Sequence, residues 1–236
     1  MKKVTTLFVL IFITISCSKS KPLARAEDGQ IQKLRTAIQN GNYEEGLKLS
    51  KDIVVKVPPS GSCEEALYLQ GYILSYGKSE FQGARTPLKQ LLDLYPKGSF
   101  ALATHKLMAD CQYWQGHYNH AIADYKNLGA NYGESGLSSY AQLQIANSLL
   151  LDEKVGDALT TYRELVEKHP LDPLSDSAQL MIANTYLKLQ NLTQAKSELQ
   201  KLMSFTQNKD LQRSAQNSLR QMEEEEPFRK GVGVPQ

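Results

Sequence analysis

Residues 141–150 read AQLQIANSLL, and residues 178–187 read AQLMIANTYL. Seven of the ten positions are identical, and the two copies lie 37 residues apart. Internal similarity at a fixed period of about 20–50 residues is typical of proteins that stack one small structural unit several times. The two copies therefore predict a repeat architecture, and they give the register in which the rest of the chain can be aligned.

Small residues recur at nearly the same period. One series is spaced 38, 37, 37 and 37 residues apart and consists of Gly46, Ala84, Ala121, Ala158 and Ala195. A second series lies twelve or thirteen residues earlier and consists of Gly71, Ala109, Ala146 and Ala183, with Leu34 in the earliest copy. Because apolar residues at helical spacing surround both series, each repeat is predicted to be two helices that cross at small residues. The copy at Gly71 has one extra residue, which we expect in its turn.

Proline and glycine indicate where the helices end. Pro58, Pro96 and Pro170 follow predicted second helices, and proline cannot continue a helix. The segment Asn131–Gly136 contains two glycines in a polar run, which predicts an irregular connection between two repeats.

The repeat resembles the tetratricopeptide repeat family. The resemblance rests on a small residue in the first helix, an Ala-x-x-x-Tyr pattern in the second, as at Ala158 and Tyr162, and a closing proline such as Pro170. The period is about three residues longer than the usual 34, and the signature Trp is absent from every copy. The resemblance covers residues 28–207 and implies an all-α, right-handed α-solenoid of about five helix-turn-helix repeats, with the first helices along its concave surface.

The C-terminal part of the chain is predicted to close the solenoid. Residues 208–226 are expected to form a capping helix, because Leu211, Ala215, Leu219 and Met222 fall on one helical face. Residues 227–236 contain two glycines and two prolines, and we expect them to form a disordered tail.

The first residues have the pattern of an export signal. Lys2 and Lys3 precede an apolar run that ends before Cys17, which is typical of a signal peptide. Thr14–Cys17 resembles the lipobox of bacterial lipoproteins, so residues 1–16 are predicted to be removed and Cys17 to be lipidated. Ordinary secretion with an incidental cysteine is the alternative. Residues 17–27 would be a flexible linker, and in enteric bacteria Ser18 would direct the protein to the outer membrane.

The charge balance argues against a polyanionic partner. Without Lys2 and Lys3 the chain has 25 basic residues against 25 acidic ones, whereas nucleic-acid binding depends on an excess of clustered Lys and Arg. We therefore expect no nucleic-acid partner.

Aromatic residues on predicted first helices are candidates for a binding groove. Tyr68, Tyr72 and Tyr76 are four residues apart and share a helical face, and the resemblance places them with Tyr113, Trp114 and Tyr140 on the groove side. Tyr and Trp are frequent in binding surfaces, so we predict a groove for a peptide segment or a partner helix. Packing between repeats is the alternative.

The Asn shared by the two opening blocks is a further candidate. Asn147 and Asn184 follow the small residue directly, where some repeat proteins bind a terminal carboxylate. The Lys that accompanies such an Asn is replaced here by Leu143 and Leu180, which argues against a carboxylate clamp. Contact with a bound segment and a plain inter-helix hydrogen bond both remain open.

Other residue clusters do not form catalytic or metal motifs. Cys63 and Cys111 would be about 15 Å apart along parallel helices, too far for a disulfide. Structural zinc needs four ligands, and His117 and His120 with Cys111 supply three. The Gly71–Ser79 stretch has one residue too many for a phosphate-binding loop. We therefore expect no metal, no cofactor, no small-molecule substrate and no enzymatic activity.

The combined features predict a non-catalytic scaffold for protein–protein interaction. With a lipid anchor, the protein would lie on the periplasmic side of a bacterial membrane, with envelope proteins as its partners. Its length, repeat number and lipobox resemble those of the tetratricopeptide lipoproteins that take part in outer-membrane β-barrel assembly. A cell-division adaptor of the Tol-Pal type and a pilotin-like secretion adaptor are the alternatives.

Overall fold

The computed structural model describes residues 22–56, 60–133 and 136–231. The predicted signal peptide 1–16, the lipidation site Cys17 and residues 17–21 of the linker lie outside these ranges, as do residues 232–236. The described residues form eleven α-helices: α1 Pro22–Gln39, α2 Tyr43–Lys56, α3 Gly61–Tyr72, α4 Phe81–Leu94, α5 Ala101–Trp114, α6 Tyr118–Tyr132, α7 Leu137–Leu151, α8 Val155–Lys168, α9 Pro173–Lys188, α10 Leu192–Phe205 and α11 Lys209–Gly231.

The helices form five antiparallel pairs followed by one additional helix. Each helix packs against the next along the chain, and α11 packs against α10. First helices of neighbouring repeats also touch, as α1 does with α3 and α7 with α9, so the first helices line the inner face of the stack. No strand occurs in the described residues. The predicted all-α solenoid of about five repeats with a capping helix is confirmed.

The small residues lie where paired helices cross. Ala109, Ala121, Ala146, Ala158, Ala183 and Ala195 are all completely inaccessible to solvent. Gly71 shows how little space is available, because a Cβ added there would lie 2.4 Å from Cδ2 of Leu88. The core is a series of apolar clusters between successive helices, as expected when each repeat buries its surface against its neighbours.

The turns inside the five repeats share one backbone feature. In each turn one residue has a positive φ, and these residues are Gly41, Ser79, Gly116, Glu153 and Gln190, with φ between 57° and 76°. The residue after Glu153 closes the preceding helix, because the backbone N–H of Lys154 donates to the carbonyl oxygen of Leu149 at 2.9 Å. This is the bond of a Schellman C-cap. Three of the five positions are not glycine, so composition alone does not reveal the shared turn.

A π-helical turn, Ile73–Gly77, follows α3 directly. The N–H of Lys78 donates to the carbonyl oxygen of Ile73 at 3.0 Å, which is the i to i−5 bond of a π-helix. The buried hydroxyl of Ser75 donates to the carbonyl oxygen of Gly71 at 2.8 Å and contacts Sγ of Cys111 at 3.1 Å. The extra residue of this repeat, expected in the turn, is therefore accommodated at the end of the first helix.

Both terminal boundaries differ from the sequence prediction. Helix α1 begins at Pro22, so the predicted linker 17–27 is helical in its second half; proline is well suited to the first position of a helix. Helix α11 continues to Gly231, five residues beyond the predicted end of the capping helix at 226, so residues 227–231 are helical and not a disordered tail. The preceding run of Arg, Gln, Met and Glu has high helix propensity.

Two smaller expectations can be compared with the structure. Cys63 and Cys111 are buried and unbridged, as predicted. The Asn131–Gly136 connection interrupts the helices after Tyr132, and Gly136 has φ 79°, a conformation that favours glycine. In the part of the chain that the structure describes, no helix combines the length and the apolar character needed to cross a membrane.

The tight crossing at Gly71 gives a stability prediction. Gly71→Ala should lower the free energy of unfolding by about 1–3 kcal/mol, because Leu88 is fully buried and can move only by disturbing the core. Urea denaturation of the purified protein measures the change.

Gly156→Ala is the matched control for this substitution. Gly156 is also helical, but a Cβ there would meet no atom within 4 Å. The control should be neutral or stabilising by up to about 1 kcal/mol, because alanine favours the helix. Equal losses in the two variants would contradict the role given to the helix crossing.

Candidate functional site

Exposed apolar residues are concentrated at one end of the first helices. Seven large apolar side chains are exposed in the described residues, and four of them form what we call the first-helix strip: Tyr76, Trp114, Leu151 and Leu189, which are 49%, 37%, 49% and 53% exposed. The first three lie five residues after the small residue of their repeat, and Leu189 lies six residues after Ala183. Each of the last four repeats therefore places one large apolar side chain along the inner face.

Four aromatic rings cover the N-terminal half of the strip. The ring centroids are 4.8 Å apart for Tyr72 and Tyr76, 5.0 Å for Tyr76 and Trp114, and 5.4 Å for Phe81 and Trp114. These distances are typical of favourable aromatic pairs. The rings come from α3, the π-helical turn, α4 and α5, so the cluster joins two repeats into one apolar surface.

The phenols of this cluster remain protonated at neutral pH. Burial raises the pKa of Tyr72 to about 12. Burial also raises the pKa of Tyr76, and the negative charge of Asp110 acts in the same direction. The two hydroxyl groups are therefore neutral hydrogen-bond donors beside the apolar rings.

A buried carboxylate lies behind the middle of the strip. Asp110 accepts hydrogen bonds from the hydroxyl of Tyr125 at 2.7 Å and from that of Tyr140 at 2.6 Å. Its other oxygen is 2.8 Å from Nζ of Lys106, which also lies 4.1 Å from the centroid of the Tyr140 ring. The charge of Asp110 is thus compensated by one ammonium group and two phenols from α5, α6 and α7.

The contact between Tyr125 and Asp110 recurs in the next repeat. The hydroxyl of Tyr162 donates to Oδ1 of Asn147 at 2.5 Å, and Asn147 donates to Gln144 at 3.2 Å. Asn147 therefore makes an inter-helix hydrogen bond, one of the two roles that the sequence left open. Asn184 makes no side-chain hydrogen bond with the described residues, because Leu199 occupies the position of the tyrosine.

The predicted groove residues fall into two groups. Tyr72, Tyr76, Tyr113 and Trp114 contribute to the surface of the strip and the pocket beside it. Tyr68 packs on Phe100 with ring centroids 5.1 Å apart, and Tyr140 is held by Asp110, so packing between repeats explains both. That any of them binds a partner stays a prediction.

Several residues of this surface were not singled out from the sequence. Asp110 occupies the same repeat position as Asn147 and Asn184, and that register was the signal that could have found it. Leu151 ends α7 and Leu189 directly follows α9, and an apolar residue in a single sequence gives no reason to expect exposure.

A pocket of about 460 Å³ continues the strip towards the C-terminus. It lies between α5, α7 and α9, with apolar walls from Tyr113, Leu150, Val155, Met181 and Leu189. Glu153 and Lys188 are the two charged residues that line it. Within the described residues, no three His, Cys, Asp or Glu side chains are grouped so that they could hold a metal ion.

The recurring tyrosine contact gives a prediction about stability. Tyr125→Phe should lower the free energy of unfolding by about 1.5–3 kcal/mol, because it removes a hydrogen bond to a charged acceptor, whereas Tyr162→Phe should cost about 0.5–1.5 kcal/mol, since its acceptor is an amide. Urea denaturation of both variants measures the difference. Each variant is the control for the other, and a larger loss for Tyr162→Phe would contradict the assignment.

Comparisons with known proteins agree with this geometry. A tetratricopeptide repeat model matches residues 65–98, 140–172 and 177–204, which correspond to the helix pairs α3/α4, α7/α8 and α9/α10. No curated protein matches the sequence.

Solved structures share the fold at low sequence identity. MamA from Desulfovibrio magneticus RS-1 is 16% identical over 80% of this chain and 96% of its own, with a TM-score of 0.61. A putative kinesin light chain from Podospora anserina with nearly identical TPR-like repeats is 17% identical over 79% and 97%, with a TM-score of 0.62. YrrB is 14% identical over 84% and 98%, with a TM-score of 0.55. The described chain is therefore an α-solenoid, and three of its five helix pairs match the tetratricopeptide repeat model.

Proposed function

We propose that this protein is a non-catalytic scaffold that binds other proteins along its first-helix strip. The observation that carries the proposal is the strip itself. The repeats place an exposed, large apolar side chain near the C-terminal end of successive first helices. Contiguous apolar surface exposed to water marks sites of interaction in soluble domains. Tyr and Trp at the centre of such a surface are typical anchors for a bound protein.

The distribution of the remaining exposed apolar residues favours this face. Val55, Leu94 and Leu171 lie near the ends of second helices, at the opposite end of the helix pairs. The rings of Tyr76 and Trp114 touch, and Leu151 and Leu189 line one pocket. YrrB, which has the same fold, is described as a TPR protein with an unusual peptide-binding site. A peptide segment is thus the kind of ligand that we propose for the strip.

The leader supports a proposal for where the scaffold acts. The basic start, the apolar run and Cys17 favour cleavage after residue 16 and a lipid on Cys17. The anchored protein would then face the periplasm from the outer membrane and take part in outer-membrane protein assembly. Adaptors of the Tol-Pal or pilotin-like type would use the same anchor and the same strip with different partners.

Site-specific photo-crosslinking in cells tests the binding surface. A photoreactive amino acid at Tyr76, Trp114 or Leu151 should give crosslinks to the same partner, because all three lie on one surface. The same amino acid at Val55 or Leu171, which are 83% and 96% exposed, should not. Crosslinks that form equally well from both sets would contradict the proposal.

Mass spectrometry of the crosslinked products tests the cellular role. Subunits of the outer-membrane β-barrel assembly machinery are the expected partners. Secretin or Tol-Pal components would instead establish the corresponding alternative. The loss of the crosslink from position 151 in a Tyr76→Ala/Trp114→Ala variant that remains folded would support the site.

Metabolic labelling with palmitate tests the anchor. The wild-type protein should incorporate the label and remain with the outer-membrane fraction, and Cys17→Ala should lose both properties because the acyl chains are the membrane anchor. Cys63→Ala is the control, since that thiol is buried. Unchanged membrane association of Cys17→Ala would exclude a lipid anchor at this residue.

A further inference from the structure

The pocket at the C-terminal end of the first-helix strip combines apolar walls with two opposite charges. Leu150, Val155 and Met181 supply apolar surface. Glu153 projects from the turn between α7 and α8, and Lys188 ends α9. Neither charged group forms an ion pair or a side-chain hydrogen bond with another residue in the part of the chain that the structure describes.

These two charges differ from the other charges near the inner face. Lys106 is paired with Asp110, and Lys78 is paired with Glu44 and Glu80. The two charged groups of the pocket have no ion pair within the described residues. A ligand that binds beside the apolar pocket can therefore pair with them without breaking an existing ion pair. The arrangement therefore offers one free group of each sign.

The backbone fixes the points from which both charged side chains start. Glu153 has φ 61°, and its N–H donates to the carbonyl oxygen of Leu150 at 3.3 Å, so the start of its side chain is fixed by the turn. Lys188 occupies the position that Tyr76, Trp114 and Leu151 have in the preceding repeats. In the last repeat a cationic residue therefore takes this position, and the exposed apolar residue, Leu189, follows it directly.

We infer that this pocket binds a bulky aliphatic side chain of a partner segment, flanked on one side by an acidic residue that faces Lys188 and on the other by a basic residue that faces Glu153. The inference rests on the proposed function, because it names the kind of segment that the strip accepts. Leu, Val and Met walls favour an aliphatic anchor, and charge complementarity gives the segment one direction along the pocket.

The expected contributions differ in size. Removal of the aliphatic anchor should weaken binding about tenfold or more, because it withdraws most of the apolar surface that binding buries. Each exposed ion pair should contribute about two- to fivefold. The charges therefore set the orientation of the segment, and the aliphatic side chain supplies most of its affinity.

Selection from a random 12-residue peptide display library on the purified protein tests the inference without a known partner. The enriched peptides should share an aliphatic residue with an acidic residue on one side and a basic residue on the other, in a constant order. Enrichment of aliphatic peptides with no charge preference, or of none at all, would overturn the inference.

The charge-swapped variant Lys188→Glu/Glu153→Lys is the decisive comparison. A fluorescein-labelled peptide selected on the wild-type protein should bind this variant at least fivefold more weakly by fluorescence anisotropy. The same peptide with its acidic and basic residues exchanged should recover the loss. Equal affinity of both proteins for both peptides would overturn the inference. Both substituted side chains are exposed, so the variant should unfold at the same temperature as the wild type.

Failure of this inference can be told apart from failure of the proposed function. One outcome is a set of peptides that lose affinity when Tyr76 and Trp114 are replaced and yet bind the charge-swapped variant as tightly as the wild type. That result would support the strip as a binding site and exclude the role of Glu153 and Lys188. Crosslinks from Trp114 in cells, in the absence of any enriched peptide, would likewise keep the strip and remove that role. Absence of both crosslinks and peptides would remove the binding function itself.

Discussion

The close crossing of two helices at a residue without a bulky side chain is the constraint on which the other features of this solenoid depend. Ala109 and Ala146 have no exposed surface, and the space at Gly71 would not hold one additional carbon atom. Because the backbones approach there, the next residue of the first helix comes within reach of a tyrosine on the second. The hydrogen bonds from Tyr125 to Asp110 and from Tyr162 to Asn147 both form at this point.

The same crossing determines which side chains remain exposed. Asp110 and Trp114 are four residues apart, as are Asn147 and Leu151, so the members of each pair share one face of their helix. The first member lies at the crossing and is held by a polar contact. The second lies one turn further, towards the end of the helix, where it is only partly covered. Internal packing and an exposed apolar strip are therefore two results of one repeat pattern.

The fold could be predicted from the sequence because its signal is periodic, whereas the details of the site depend on contacts between repeats. The spacing of the small residues gave the helix pairs and their number. It could not show that the extra residue after Gly71 forms a π-helical turn, because loops and helices both accommodate insertions. The groove aromatics were identified by type, but their separation into surface residues such as Trp114 and packing residues such as Tyr140 depends on Asp110. The partners of Asp110 come from three different helices, α5, α6 and α7.

The last repeat differs from the third and fourth repeats at both positions of this shared face. Leu199 replaces the tyrosine of the second helix, so Asn184 has no side-chain hydrogen bond within the described chain. Lys188 occupies the position of Trp114 and Leu151, and the exposed apolar residue, Leu189, follows it. Asn184, which lacks the tyrosine donor, and Lys188 lie one helical turn apart on α9. A segment that follows the strip therefore meets aromatic rings at α3 and α5 and available polar groups at α9. Because the two ends differ in chemistry, the surface favours one orientation of a bound chain, which a uniform apolar strip could not do.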